Sequence, residues 1–103
     1  MQSATATSGQ NSGAWVVTTH RVEDFARWKP VFDGTATLKH GYGWKRSSVY
    51  MIDGDRNNVL VMEEFDSLGH ARAFASSPEL KAAMGKAGVV GVPETWVVTE
   101  VAP

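Results

Sequence analysis

The sequence predicts an α+β fold of the ferredoxin-like type, in which one four-stranded antiparallel sheet carries two helices on one face. Four segments rich in β-branched and apolar residues occur at 14–20, 44–52, 58–65 and 94–101. Helical patterns separate them in the order β-α-β-β-α-β. The cluster DGDRN between the second and third segments is typical of a hairpin turn.

Length and composition predict one globular domain and exclude several classes of protein. The chain has 103 residues, 43% of them hydrophobic, and no cysteine, which excludes disulfides and cysteine-ligated metals. The net charge is −1 and no block of like charge occurs, which argues against nucleic-acid or membrane-surface binding. No apolar run approaches the about 18 residues of a membrane-spanning helix. We expect a cytoplasmic protein with a disordered leader at 1–13 and a single domain at 14–103.

The first helical segment carries aromatic residues on one face and contains a proline. Phe25, Trp28 and Phe32 follow one another at helical spacing, and the pattern can extend to Gly41. Because Pro30 removes a backbone donor, we expect the helix to kink or restart at residue 29 and to place Trp28 at the bend.

The second helical segment contains two start signals. Asp66 or Ser67 can cap the first part, and Ser77 followed by Pro78 is typical of a new N-cap and N1 position. We therefore expect a helix divided in two, followed by the last strand at 94–101.

The third strand is apolar on both of its faces. Val59, Val61 and Phe65 alternate with Leu60 and Met62, and the fourth strand shows the same property. Two helices cover only one face of a sheet, so the other face needs a partner. We expect a homodimer packed through the sheet face. The alternative is a monomer with an unusually apolar open face.

Four motifs together resemble a known family. They are V-x-D-F-x-x-W-x-x-x-F at 22–32, G-x-G at 41–43, E-F-D-S-x-x-x-A-R-A-F-A-x-S at 64–77 and A-G-V at 87–89. In these four motifs the chain resembles dimeric α+β barrel proteins of the antibiotic-biosynthesis-monooxygenase-like group. Some members of that group are described as cyclases. The resemblance implies a dimer whose sheets close into a barrel, with a ligand pocket between the sheet and the helices of each subunit.

The resemblance and the aromatic content favour a small-molecule-binding protein. The first hypothesis is an enzyme, either a monooxygenase or a polyketide cyclase, that acts without metal or cofactor on an aromatic substrate by acid/base assistance. The second is a haem-binding protein that uses His70 or His20 as the iron ligand. The third is a non-enzymatic ligand-binding or stress-associated dimer whose aromatic residues only form the core.

Four residues are candidates for catalysis. His20 ends the first strand, where it could contact a ligand or donate to a carbonyl, and His70 lies in a first helical turn, where a neutral ring could act as a base. Tyr50 could bind a phenolate or enolate oxygen. Glu64 could be a buried general base, or it could pair with a basic residue such as Arg72 or Lys45.

Four further residues are candidates for substrate binding. Trp28 and Trp44 could stack on a flat ligand, although core packing explains them equally well. Alternation places Trp44, Arg46, Ser48 and Tyr50 on one face of the second strand, and Arg46 could bind an anionic oxygen if that face lines the pocket. His40, in a last helical turn, could bind the ligand or simply complement the helix dipole.

Overall fold

A computed structural model of the protein describes residues 13–101, so the predicted leader lies outside the described residues except for Gly13. The elements are β1 (Ala14–Val22), α1 (Phe25–Asp33), α2 (Ala36–His40), β2 (Trp44–Ile52), β3 (Asp55–Phe65), α3 (Leu68–Ala75), α4 (Pro78–Lys86) and β4 (Val89–Thr99). The four strands form one sheet in the order β2-β3-β1-β4, and every pair is antiparallel. The α+β, ferredoxin-like βαββαβ prediction is confirmed.

The inner face of the sheet packs against the helices in two buried clusters. One contains Ala14, Val16, Phe65, Ala71 and Phe74, and joins β1 and β3 to α3. The other contains Val22, Trp28, Val59 and Val61, and joins the same two strands to α1. The helix layer is thus attached to the two central strands of the sheet.

The start of α4 follows the predicted capping chemistry. The Ser77 hydroxyl accepts a hydrogen bond from the Leu80 backbone N–H at 3.1 Å, and Pro78 occupies the first helical turn, where its missing N–H costs nothing. Ser67 caps α3 in the same way. The division of the second helical segment is confirmed.

The first helical segment is also divided, but not where the sequence predicted. Helix α1 continues through Pro30 as far as Asp33, and the predicted restart at residue 29 is wrong. The interruption lies at Thr35, whose backbone N–H and hydroxyl both donate to the Phe32 carbonyl, at 3.1 and 2.6 Å. That carbonyl would otherwise accept the next helical hydrogen bond, so α1 ends there and α2 begins separately.

Strand β4 begins five residues earlier than predicted and contains Pro93. A proline is tolerated because β4 is an edge strand and pairs only with β1. The pairing of β1 with β4 shifts its register between Thr19 and Arg21 of β1. At this bulge β4 has more residues than β1, and one of them is Gly91, with φ of +74°. His20 is therefore opposite an irregular stretch of the sheet edge.

The outer face of the sheet stays partly open. Trp96 and Val98 of β4 are 47% and 39% exposed, and Leu60 and Met62 of β3 are half-buried. Thus both faces of the sheet carry apolar residues, as the alternation predicted. Within residues 13–101, no helix has the length and apolar character needed to cross a membrane.

We predict that Gly43→Ala costs more stability than Gly54→Ala. Both glycines have positive φ, at +82° and +84°, so each substitution carries a cost of about 1–2 kcal/mol. A Cβ on Gly43 would in addition lie 2.5 Å from Asp66 Oδ1, whereas one on Gly54 meets nothing within 4 Å. Displacing Asp66 weakens its contact with His70, worth about 0.2–1 kcal/mol.

Denaturant unfolding of the two variants measures the difference. Equal losses would show that Asp66 moves without cost, and Asp66→Ala in the Gly43→Ala background should remove the additional loss.

Candidate functional site

A small cavity, here called the central cavity, lies between the inner face of the sheet and the helices. Its volume is about 40 Å³, which is room for about two water molecules. Most of its lining is apolar and comes from α1, α2, α4 and β3. Its polar lining consists of Thr18, His20, Thr35, Lys39 and Glu63.

An aromatic stack forms one wall of the cavity. Trp28 is 2% exposed and stacks on Phe32, with ring centroids 4.8 Å apart and an interplanar angle of 23°. Phe25 lies against the same indole at 5.6 Å, and His20 meets it edge-on at 5.6 Å. Trp28 therefore lines the cavity from within a continuous helix rather than from a bend.

His20 is buried with one ring nitrogen unpaired. Its side chain faces the helices from the inner row of β1, and the described residues supply no hydrogen-bond partner for Nδ1. Burial lowers the pKa of His20 below its ordinary value, because the charged ring loses hydration. A neutral imidazole with a free nitrogen can accept a proton from a ligand in the cavity.

A buried ion pair, Lys39–Glu63, forms another part of the wall. Lys39 Nζ lies 2.6 Å from Glu63 Oε2, and the side chains are 4% and 5% exposed. Ser47 Oγ donates to the same carboxylate oxygen at 3.1 Å and accepts from Trp44 Nε1 at 2.8 Å. The ammonium also lies 3.6 Å from the centroid of the Phe32 ring. Burial lowers the pKa of Lys39, although Glu63 opposes that shift.

The sequence analysis missed this ion pair, although both of its residues carried a signal. Lys39 follows Phe32 by seven residues, which is the spacing of one helix face, and Glu63 lies between Val61 and Phe65 in the inner row of β3. A charged residue in an apolar row indicates a buried partner of opposite charge. Two such residues in one small domain could have been paired.

Three candidate residues lie on the outer face of the sheet, away from the central cavity. Arg46 Nε donates to Glu64 Oε1 at 2.8 Å, so Glu64 pairs neither with Arg72 nor with Lys45. Tyr50 is 52% exposed and pairs with Leu60 on the neighbouring strand.

The predicted grouping of Trp44 with Arg46 and Tyr50 is wrong. The register of β2 against β3 shifts between Trp44 and Arg46, so that Trp44 lies opposite Phe65 on the inner face. Trp44 packs against the inner core there. Strict alternation along β2 fails because this bulge adds a residue.

The two remaining histidines lie on the surface. His40 is exposed and its ring meets the Trp44 ring edge-on at 4.8 Å. His70 Nδ1 lies 2.6 Å from Asp66 Oδ1, one helical turn away. Neither lines the central cavity. Among residues 13–101, no three His, Asp or Glu side chains cluster as a metal site would require.

We predict that His20 makes stability fall as the pH drops below neutral. Burial lowers the pKa of His20 in the folded state, so the unfolded chain takes up its proton first as the pH falls through about 6.5. The free energy of unfolding should then decrease from about pH 7 downwards, until the folded state also binds the proton.

Urea denaturation at about pH 7.5 and pH 5 should show a smaller pH dependence in His20→Gln than in the unaltered protein. His40→Gln, at an exposed position, is the matched control and should keep the full dependence. Equal pH dependence in all three proteins would contradict the assignment.

Comparisons with known proteins identify relatives by structure and not by sequence. The sequence matches no family model and no curated protein. Its structure matches SnoaB of Streptomyces nogalater, a cofactor-independent oxygenase, with a TM-score of 0.69 and 16% identity over 89% of this chain and 96% of the other. A proposed antibiotic biosynthesis monooxygenase from Caulobacter crescentus CB15 matches with a TM-score of 0.66 and 20% identity over 93% and 96%.

A conserved protein from Methanosarcina mazei Go1 also matches, with a TM-score of 0.68 and 15% identity over 89% of this chain and 97% of the other. The resemblance inferred from the motifs is confirmed at the level of architecture. The chain has the fold of antibiotic-biosynthesis-monooxygenase-like proteins.

Proposed function

We propose that this protein binds a small hydroxylated aromatic molecule between its sheet and its helices and oxygenates it without a metal or an organic cofactor. The central cavity supports this proposal best, because the buried His20 ring and the Trp28 indole both line it and are in contact with each other. The likeness in fold to a cofactor-independent oxygenase agrees with it.

In the proposed reaction, neutral His20 removes a proton from the hydroxylated ring system. The resulting anion is electron-rich and is oxidised by molecular oxygen. One oxygen atom replaces two hydrogens at a ring carbon, and the other leaves with those hydrogens as water. Trp28 would hold the ring by stacking, which orients it toward the base.

The small volume of the cavity sets a condition on this proposal. Pockets for ligands of this size measure about 300–1,000 Å³, whereas the central cavity measures about 40 Å³. Ligand binding must therefore displace a side chain. Phe32 is the best candidate, because it is only half-buried and stacks on Trp28 in the place a flat ligand would take.

The same small volume favours a second candidate function. A cavity of this small volume is also what a non-enzymatic dimer would have if its aromatic residues only stabilised the core. A cyclase would share the proton abstraction by His20 but would consume no oxygen. One assay can separate all three.

We predict oxygen consumption when the protein is mixed with hydroxylated anthrones or naphthols. His20→Gln should lower the protein-dependent rate about 10²- to 10⁴-fold, the usual contribution of a general base. Arg72→Gln, at an exposed position on α3, should leave the rate unchanged. An oxygen electrode measures uptake above the spontaneous oxidation in buffer.

Conversion of the substrate without oxygen uptake would support ring closure instead. If the protein neither binds nor converts any compound of the panel, the non-enzymatic dimer remains as the function.

We further propose that two copies of the chain pack through the outer face of the sheet. Trp15 lies opposite Val98, and Val17 lies opposite both Met62 and Trp96, so apolar side chains form a continuous band across three strands. Such a band is larger than a soluble monomer ordinarily exposes, and a second copy would present the same band to it.

The Arg46–Glu64 ion pair lies beside this band. The Arg46 guanidinium is 5.0 Å from the centre of the Trp15 ring, and its side chain is 67% exposed in a single chain. In the proposed dimer this pair would lie at the interface, where it would fix the register of the two sheets rather than bind substrate.

We predict that Trp96→Glu converts the dimer to a monomer without unfolding the chain. A carboxylate in the centre of an apolar interface is costly to desolvate, whereas at the exposed edge of a monomer it is tolerated. Analytical ultracentrifugation measures the mass. Arg72→Gln, on the helix layer, should stay dimeric. A monomeric unaltered protein would contradict the proposal.

A further inference from the structure

An open groove, here called the lateral groove, lies on the side of the helix layer next to β2. Its volume is about 600 Å³, which falls in the range of small-molecule pockets. Its aromatic lining is Phe32 and Trp44. Its charged lining is Lys29, Asp33, Lys39, Lys45 and Arg46.

The charge of this groove is predominantly positive. Four cationic side chains line it against a single carboxylate, that of Asp33. Asp33 is itself paired with Lys29 at 2.8 Å, and Arg46 is paired with Glu64 across the sheet. Lys39 is likewise paired with Glu63, so the unbalanced positive charge of the lining comes from Lys45. That charge, beside Phe32 and Trp44, suits an anionic ligand that also carries an aromatic ring.

Phe32 and Lys39 line both the lateral groove and the central cavity. They form the wall between the two spaces. A molecule that moves from the groove into the cavity must displace Phe32 and pass the Lys39 ammonium. Its ring could then take the place of Phe32 against Trp28.

The bonding of Lys39 leaves capacity for a ligand. An ammonium group has three N–H donors. The acidic partner of Lys39 is Glu63, whose Oε2 lies 2.6 Å from Lys39 Nζ. The centroids of the Phe32 and Trp44 rings lie 3.6 and 5.6 Å from the ammonium, and Asp33 and Lys29 are near enough to shift its pKa in opposite directions. A ligand carboxylate beside the ammonium would gain a charge-assisted hydrogen bond, while the nearby Glu63 carboxylate would oppose its binding.

We propose that the lateral groove is the entrance to the central cavity, and that Lys39 selects aromatic ligands that carry a carboxylate. Glu63 holds the ammonium in place until the ligand carboxylate shares it. This inference rests on the proposed function, since it names the class of ligand that the same site accepts.

The test compares two ligands that differ only in charge, 3-hydroxy-2-naphthoate and its methyl ester. We expect the unaltered protein to bind the carboxylate more tightly than the ester, as measured by tryptophan and ligand fluorescence. Lys39→Met should weaken binding of the carboxylate about 10- to 100-fold and change binding of the ester little, because only the carboxylate loses a charged hydrogen bond. Lys81→Met, an exposed lysine on α4, controls for the loss of one positive charge.

A second variant gives an effect of opposite sign. Glu63→Gln keeps the ammonium and removes its competing carboxylate, so it should strengthen binding of the naphthoate relative to the ester. Because each single variant leaves one buried charge without its partner, the double variant Lys39→Met/Glu63→Gln decides the matter if either fails to fold, and it should bind the naphthoate no more tightly than the ester. Circular dichroism and thermal unfolding establish which variants fold.

The outcomes separate this inference from the proposed function. If Glu63→Gln does not favour the carboxylate over the ester, or if Lys39→Met weakens both ligands equally, the ion pair is only structural. The inference is then overturned and the proposed function stands. If the unaltered protein binds neither ligand and oxidises no hydroxylated aromatic compound, both are overturned.

Discussion

The arrangement of the helix layer depends on the buried ion pair between Lys39 and Glu63. Helix α2 has five residues, too few to be stable alone, and its one buried residue is Lys39. Glu63 lies in the inner row of β3, between Val16 of β1 and Ser47 of β2. The buried side of α2 consists of Lys39 rather than of an apolar residue. The ion pair therefore attaches this helix to the centre of the sheet. Removal of either charge would leave the other buried and unpaired, so losing one residue should destabilise the fold more than losing both.

Two irregularities of the backbone adjoin this pair. The interruption of the first helical segment at Thr35 comes four residues before Lys39 and separates α2 from α1. The bulge in β2 turns Trp44 and Ser47 to the inner face, and Ser47 then donates to Glu63. Regular elements would have placed these residues elsewhere. The bulge thus places Ser47 where it donates to the buried Glu63 carboxylate, and the interruption separates the short helix that carries the cation.

The sequence allowed prediction of the fold better than of the site, for reasons that particular residues make clear. Ser77 and Pro78 act through local capping chemistry, so the sequence alone locates the start of α4. The last strand was predicted to begin at residue 94, directly after Pro93, but whether a proline interrupts a strand depends on the position of that strand in the sheet. Alternation indicates the inner row of β3 from Val59, Val61 and Phe65, but an isolated carboxylate such as that of Glu63 is ordinarily expected at the surface. Its burial depends on Lys39, 24 positions earlier in the chain, which no local pattern contains.

The positions of His20 and Glu63 on the sheet limit what a substrate can look like. His20 lies opposite Val59, and Glu63 lies four residues further along the same strand. Four residues of an extended strand span roughly 13 Å. Thr18 and Val61, which face each other between these positions, also line the cavity. If one ligand both binds Lys39 through a carboxylate and presents a carbon to His20, as we propose, a span of this order favours several fused rings between the two groups. A two-ring acid with neighbouring hydroxyl and carboxylate groups would bind at Lys39 and remain out of reach of the base, so binding and turnover should select ring systems of different lengths.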